Sequence, residues 1–269
     1  MTKFDLLRCP VCRADLALVG RSLRCPQRHS FDLARSGYVN LLTGHGAVPA
    51  EGGDDAQQLS RRDAFLGKGY FDGIVDTIRR NLPGDFRTVL DAGCGTAHHL
   101  KRLIGDRADV ITAGIDVSKD AANFCAKRYP EIAFAVADIW REWPVRDACV
   151  DVVLSIFAPK NFSEAARVLR PGGFLAVAYP GPDHLIELRR AFDLLDQGEA
   201  KTEIYASGMA EVMSAPWHQR IYVDVQLPGE DVIRAILMGP NAKRAAGEVN
   251  SATRRVVFDI ELLIARKPL

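Results

Sequence analysis

The chain has 269 residues, of which 48% are hydrophobic and 26% charged, with a net charge of +1. That balance suits an ordinary globular protein of one large or two unequal domains, and it gives little global attraction for nucleic acid. No run reaches the ~18 uncharged apolar residues of a membrane span, and residues 1–8 lack the apolar core of an export signal, so a cytoplasmic location without membrane contact is expected.

In chain order, residues 1–37 are polar, hold three of the six cysteines and are too few to fold on an apolar core alone. Residues 1–50 carry seven basic and three acidic side chains, so a basic N-terminal module precedes a mildly acidic body, a distribution suited to phosphate contacts or to a solvated face. Residues 43–57 are rich in Gly, Ala and acid without periodicity and read as a linker. Residues 58–82 show helical spacing through Leu59, Phe65, Leu66, Ile74, Val75 and Ile78 and end at Pro83-Gly84.

Beyond that point β-rich runs at 88–93, 110–117, 132–138, 150–157 and 173–180 alternate with helical stretches such as 97–104 and 119–129. The alternation predicts a doubly wound parallel sheet. A helix over 183–195 follows, then strands over 219–227 and 255–265 separated by a helix over 230–238, which suit an antiparallel pair at the sheet edge.

Cys9-Pro-Val-Cys12 and Cys25-Pro-Gln-Arg-His29 are two knuckles separated by twelve residues. Three thiolates and one imidazole make a soft tetrahedral set that matches zinc. Four protein ligands leave no open position, so the zinc is expected to be structural. For so small a module its binding energy is folding energy. The two modules are expected to be separable, with a Cys25→Ser change leaving cofactor affinity nearly intact. Cys94, Cys125 and Cys149 are scattered and read as small core residues.

Asp91-Ala-Gly93-Cys94-Gly95-Thr96-Ala97 lies between a strand and a helix, where Gly93 and Gly95 let the backbone bend tightly and approach a ligand. Asp116 ends the second strand, where a carboxylate accepts two ribose hydroxyls. Asp138 ends the third strand, beside an expected adenine edge. The longer glycine spacing of a pyrophosphate cradle is missing, which favours S-adenosylmethionine (SAM), a cofactor without phosphate, over a dinucleotide.

With both constellations placed, the chain resembles the zinc-containing bacterial 23S ribosomal RNA guanine-N1 methyltransferases. The resemblance rests on Cys25-Pro-Gln-Arg-His29-Ser-Phe31-Asp32, Gly37-Tyr38-Val39-Asn40-Leu41-Leu42, Arg62-Asp-Ala-Phe65-Leu66, Leu90-Asp91-Ala-Gly93-Cys94-Gly95, Gly114-Ile-Asp116-Val-Ser118-Lys119 and Pro180-Gly-Pro-Asp-His184-Leu. It implies an α/β fold, a Rossmann-like class I SAM methyltransferase sheet with a small N-terminal zinc-binding module. The implied division is an RNA-contacting zinc module over 1–42, a linker over 43–57 and a methyltransferase domain over 58–269. It also implies 23S rRNA as partner and a homodimer. Cofactor contacts map to Gly95, Thr96, His184 and Phe71, and metal ligands to Cys9, Cys12, Cys25 and His29. Ala97 replaces the loop's third glycine. Phe71, or a shifted Tyr70, stands for a tyrosine, and Leu237-Met-Gly-Pro240-Asn-Ala-Lys243 replaces Met-Thr-Pro followed by an aromatic.

Methyl transfer from a sulfonium is an in-line displacement governed by alignment, and a guanine N1 must also lose its proton. His184 and Glu187 are candidates for that proton, with cofactor contact the stronger reading for His184 and a solvated position for Glu187. A base inside a hairpin must be flipped out, and Tyr38, Phe71, Trp140 and Trp143 are candidate stacking surfaces, although aromatic residues more often serve packing. Two other readings stand beside this one: a small-molecule methyltransferase that retains the zinc module, and a SAM-binding module without catalysis.

Overall fold

A computed structural model describes residues 2–43, 53–195, 201–242 and 251–269. Near the N-terminus β1 (Ala17–Val19), β2 (Ser22–Arg24) and β3 (Ser30–Asp32) form a small antiparallel sheet. Its first hairpin turns through Gly20 at φ 63°, a left-handed conformation that glycine adopts without a Cβ penalty. β4 (Val39–Asn40) then leaves this module. There follow α1 (Ala56–Leu66), α2 (Asp72–Asn81), β5 (Thr88–Ala92), α3 (His98–Ile104), β6 (Ile111–Asp116), α4 (Lys119–Arg128), β7 (Ala133–Val136) and β8 (Val150–Ile156). The chain continues with α5 (Phe162–Val168), β9 (Leu169–Pro180), α6 (Ile186–Ala191), α7 (Lys201–Ala210), β10 (Trp217–Leu227), α8 (Gly229–Leu237) and β11 (Arg254–Arg266).

Among the described residues the main sheet runs β10-β11-β9-β8-β5-β6-β7-β4. Its strands from β9 to β4 are parallel, while β11 lies antiparallel between β9 and β10. This is the expected Rossmann-like α/β sheet with an antiparallel edge pair. The central strands are fully buried because helices cover both faces, which explains why they read as unbroken apolar runs. One face carries α1, α2, α3, α4, α6 and α8, and the other carries α5 and α7.

The helix expected over 58–82 is instead two helices. Gly69 at φ 83° turns the chain between them, and Phe71 starts α2. Within the expected linker, residues 44–52 lie outside the described residues. Gly53 rests on Val117 and Ser118, Asp55 closes a capping box with Gln58, and Ala56 already belongs to α1.

No helix fills the crossover from β7 to β8 over 137–149. The sheet face left open there is covered by the zinc module. Phe4, Leu6, Leu7, Cys9, Leu16 and Leu41 form one buried cluster with Ala133, Ala135, Trp143 and Val145. Backbone bonds tie the two together: Arg8 N donates to Pro144 O (3.0 Å), Arg146 N to Leu6 O (3.0 Å) and Leu41 N to Val136 O (3.0 Å). The Arg8 guanidinium, 7% exposed, pairs with Glu142 and Asp147 at 2.7 Å each. The module is therefore part of the main core, contrary to the separability expected from sequence.

Candidate cofactor site and zinc centre

Each zinc knuckle is a tight turn closed by backbone bonds: Arg13 N donates to Cys9 O (2.8 Å) and Arg28 N to Cys25 O (3.0 Å). Arg13 and Arg28 sit at φ 63° and 67°, which turns the chain so that successive ligands face one point. Cys9, Cys12, Cys25 and His29 offer ligand atoms that all lie within 4.8 Å of one another. A tetrahedral zinc with ordinary bond lengths sets sulfur–sulfur edges near ~3.8 Å and sulfur–nitrogen edges near ~3.5 Å. Here Cys12 and Cys25 sulfurs are 3.6 Å apart, and His29 Nδ1 lies 3.5 Å from Cys9 and 3.3 Å from Cys25. The donor set and its spacing fit a closed zinc site with Nδ1 as the imidazole ligand.

The cofactor loop leaves the end of β5. Gly93 (φ 80°) is pressed against Ala158, so that a Cβ there would overlap the Ala158 methyl. Gly95 N donates to Asp116 Oδ2 (2.9 Å) and Ser118 N to Asp116 Oδ1 (2.9 Å), so one carboxylate joins the loop to the end of β6. Burial raises the Asp116 pKa, and the two backbone donors oppose that rise. Asp91, in β5 just before the loop, is buried. Burial, together with the charge of Asp116, lifts it to about 7. Thr96 is buried between Gly95 and Ala97, and Ala97 holds a left-handed φ of 55° where glycine is the easier residue. Cys94 and Cys125 are buried, with the Cys125 thiol donating to Gly95 O (3.1 Å).

Asp138 stands at the end of the next strand, accepts from Trp140 N (2.9 Å) and pairs with Arg141 (3.2 Å). The loop also has a cover that the sequence did not disclose. Arg62 of α1 pairs with Asp54, donates to Met238 O (2.6 Å) and lies close enough to Gly95 to meet a Cβ there at 3.2 Å. Asp54 O in turn accepts from Ser118 Oγ (2.7 Å).

His184 is buried beyond β9 and its Nδ1 lies 2.9 Å from Asp259 O. A carbonyl only accepts, so Nδ1 carries the proton and Nε2 keeps its lone pair. Burial pulls the His184 pKa down to about 4, which keeps the ring neutral at pH 7. Phe71 is buried beside it, with ring centroids 6.1 Å from His184, 5.0 Å from Phe258 and 5.4 Å from Phe157. Tyr70 turns away and donates its hydroxyl to Asp231 of α8 (3.0 Å), so Phe71 is the aromatic beside His184.

The other candidates divide. Glu187 is half-buried and accepts from Val257 N (3.1 Å), which ties α6 to β11. Trp143 is buried, and its indole N–H donates to Ile139 O (3.0 Å). Trp140 is 69% exposed. Tyr38 is half-buried. Asn241 is buried and accepts from Leu195 N (2.9 Å), and Lys243 lies outside the described residues. Sequence reasoning missed Phe157 and Lys160 altogether. The available signal was an apolar strand run that ends in an aromatic before Ala158-Pro159, beside the strand that feeds the glycine loop.

Residues 7–45 match the family model described as "RlmA, N-terminal", a zinc ribbon, and residues 89–173 match "Methyltransferase domain". A Streptomyces fradiae protein named 23S rRNA (guanine(748)-N(1))-methyltransferase is 37% identical over 241 residues, 88% of this chain and 85% of the relative. Among solved structures, the complex of the Haloferax volcanii Trm112 activator with a methyltransferase matches at TM-score 0.52 and 18% identity, covering 80% of this chain and 96% of that one. A Haemonchus contortus phosphoethanolamine N-methyltransferase 2 matches at TM-score 0.51 and 14% identity, covering 80% and 58%. These two likenesses speak to the fold alone. With a zinc-ribbon match at one end, a SAM methyltransferase fold behind it and that relative, the chain belongs to the 23S rRNA (guanine-N1)-methyltransferase family, a group of SAM-dependent enzymes with a structural zinc.

Proposed function

We propose that this enzyme transfers the methyl group of SAM to N1 of a guanine in a 23S rRNA hairpin. The observation that carries the reading is the relation to the Streptomyces fradiae enzyme, which spans 88% of this chain. SAM supplies an activated methyl on a sulfonium, and the protein's part is to bind, align and exclude water. Asp116 would hold the ribose hydroxyls and Asp138 the adenine edge, Gly93, Gly95 and Thr96 would let the backbone approach the methionine portion, and Asp91 would supply a counter-charge. His184 and Phe71 would close the site from the side of Phe157, whose neighbour Ala158 packs on Gly93. Neutral His184, with Nε2 unprotonated, is suited to accept a hydrogen bond from the cofactor's ammonium group.

In this reading residues 1–42 contact RNA and 58–269 form the methyltransferase domain, and the linker drawn over 43–57 gives way to α1 at Ala56. Support comes from Arg24, Arg28 and Arg35, which are exposed on the zinc module and form no ion pair among the described residues. A homodimer fits β10, an eleven-residue edge strand with Trp217 and Tyr222 exposed and no outer partner among the described residues. The site of action is the cytoplasm, where ribosomal RNA lies. No helix among the described residues is long and apolar enough to cross a membrane.

The test is tritiated SAM with protein-free 23S rRNA and with intact large subunits, followed by nucleoside analysis. Labelled 1-methylguanosine is the expected product. Label in neither RNA form, from protein that binds SAM by calorimetry, would refute the reading.

A further inference from the structure

The end of β8 holds a feature that the cofactor site does not require. Phe157 is an aromatic residue at φ 52°, a left-handed conformation that strains any side chain with a Cβ. Three sets of bonds hold the strain in place. Phe157 N donates to Ala178 O (2.9 Å), Ser155 Oγ donates to Pro159 O (3.2 Å), and the amine of half-buried Lys160 donates to Ser155 O (3.2 Å) and Ala158 O (2.5 Å). The constrained backbone sets down an apolar ring that stays 38% exposed. A lone exposed apolar residue is ordinary on a surface, but one held there by a strained backbone is the kind of outlier that clusters at ligand sites.

β8 is the neighbour of β5, whose end bears the glycine loop, and Ala158 packs directly on Gly93. Ligands of open α/β sheets bind outside the carboxyl ends of the strands, and the end of β8 lies beside the loop on that edge. The Phe157 ring lies against Phe71 (centroids 5.4 Å apart) and near His184 (6.1 Å), the two residues assigned above to cofactor contact. An extruded purine has two π faces and needs a rigid partner to replace the stacking lost from its helix.

We propose that Phe157 is the platform on which the extruded guanine stacks before methyl transfer, and that Lys160 is the positioning residue that fixes the strained turn beneath it. The inference rests on the rRNA guanine reading above and adds to it the residue that holds the acceptor. Trp140, also exposed, stands beyond β7 on the adenine side of the site and not at the end of β8.

The test compares wild type with Phe157→Ala, Phe157→Leu and Phe157→Trp. Each is measured for kcat/KM of tritium transfer to protein-free 23S rRNA, for SAM affinity by calorimetry and for thermal midpoint. Loss of a base-stacking ring lowers kcat/KM about tenfold to a hundredfold in the Ala and Leu variants, while SAM affinity stays within about threefold and the Trp variant retains activity within about threefold. Leu activity equal to wild type, or a Trp variant as impaired as Ala, would overturn the proposal, because the π face would then be unused. Wild type that binds SAM and yields no 1-methylguanosine would instead overturn the underlying reading, whatever the variants do. Lys160→Met should lower kcat/KM without changing SAM affinity, with the thermal midpoint reporting any loss of fold.

Discussion

Replacing Gly93 by Ala tests how the cofactor loop and the acceptor side of the site are joined. The new methyl would overlap the Ala158 methyl, whereas apolar carbons in contact rest about 3.5–4.0 Å apart, so the two segments must part by on the order of 1 Å. The left-handed φ of 80° adds about 1–2 kcal/mol for a residue with a Cβ, and overpacking adds about 1–3 kcal/mol. Together they lower unfolding free energy by about 2–5 kcal/mol, read by urea denaturation. The catalytic effect is larger in proportion, because a displacement of about 1 Å between donor and acceptor costs about a hundredfold in rate. A second change, Ala158→Gly, removes the overlapped methyl and leaves its Cα 3.6 Å away, an ordinary contact. The double variant should therefore recover about tenfold in kcat/KM while keeping the φ penalty. Gly93→Ala with wild-type methyl transfer, or a double variant that recovers nothing, would refute the steric link.

Asp91 gives two pH slopes of opposite sign. Its folded pKa of about 7 stands above its ordinary value of 3.8, so the folded apoprotein holds the extra proton between them and its stability falls as pH rises from about 4 to about 7. SAM, a cation at its sulfonium, binds more tightly once Asp91 ionises, so its affinity should rise through pH 7. Asp91→Asn should flatten both slopes in calorimetry and thermal unfolding, and an unchanged slope would remove Asp91 from the site. Cys25→Ser should unfold the zinc module, since metal binding in such modules supplies about 10–16 kcal/mol. It should also uncover Leu6, Leu7 and Trp143 and weaken SAM binding through the β7 edge that carries Asp138. Calorimetry showing unchanged SAM affinity would mean that the shared core is not used. Arg8→Ala loses both packing and two ion pairs whose carboxylates face solvent, so the expected cost is about 1–2 kcal/mol, smaller at high salt, by urea denaturation.

The strands were legible because each central run is buried on both faces and bounded by Gly, Pro or Asp, and the zinc ligands because local spacing alone brings two knuckles together. Other features depended on contacts between distant segments. Trp140 and Trp143 lie three residues apart, yet one faces solvent and the other core, since the crossover around them has no helical period to read. The break at Gly69 divides a stretch whose apolar spacing continues across it. Arg8 meets carboxylates more than a hundred residues away, and this docking of the zinc module has no local signature. Phe157 looked like the last residue of a strand. Its exposure and its left-handed turn follow from β8 lying beside β5, which no window of sequence contains.

A methyl group on guanine N1 occupies the Watson–Crick edge, where reverse transcriptase must read the base. Primer extension along 23S rRNA, treated with this enzyme with and without SAM, therefore reads whether the methyl group lies on N1. The account predicts one SAM-dependent stop next to a hairpin guanine, matched by one equivalent of 1-methylguanosine. Label in the RNA without such a stop would contradict it, because the methyl would then lie off the pairing edge.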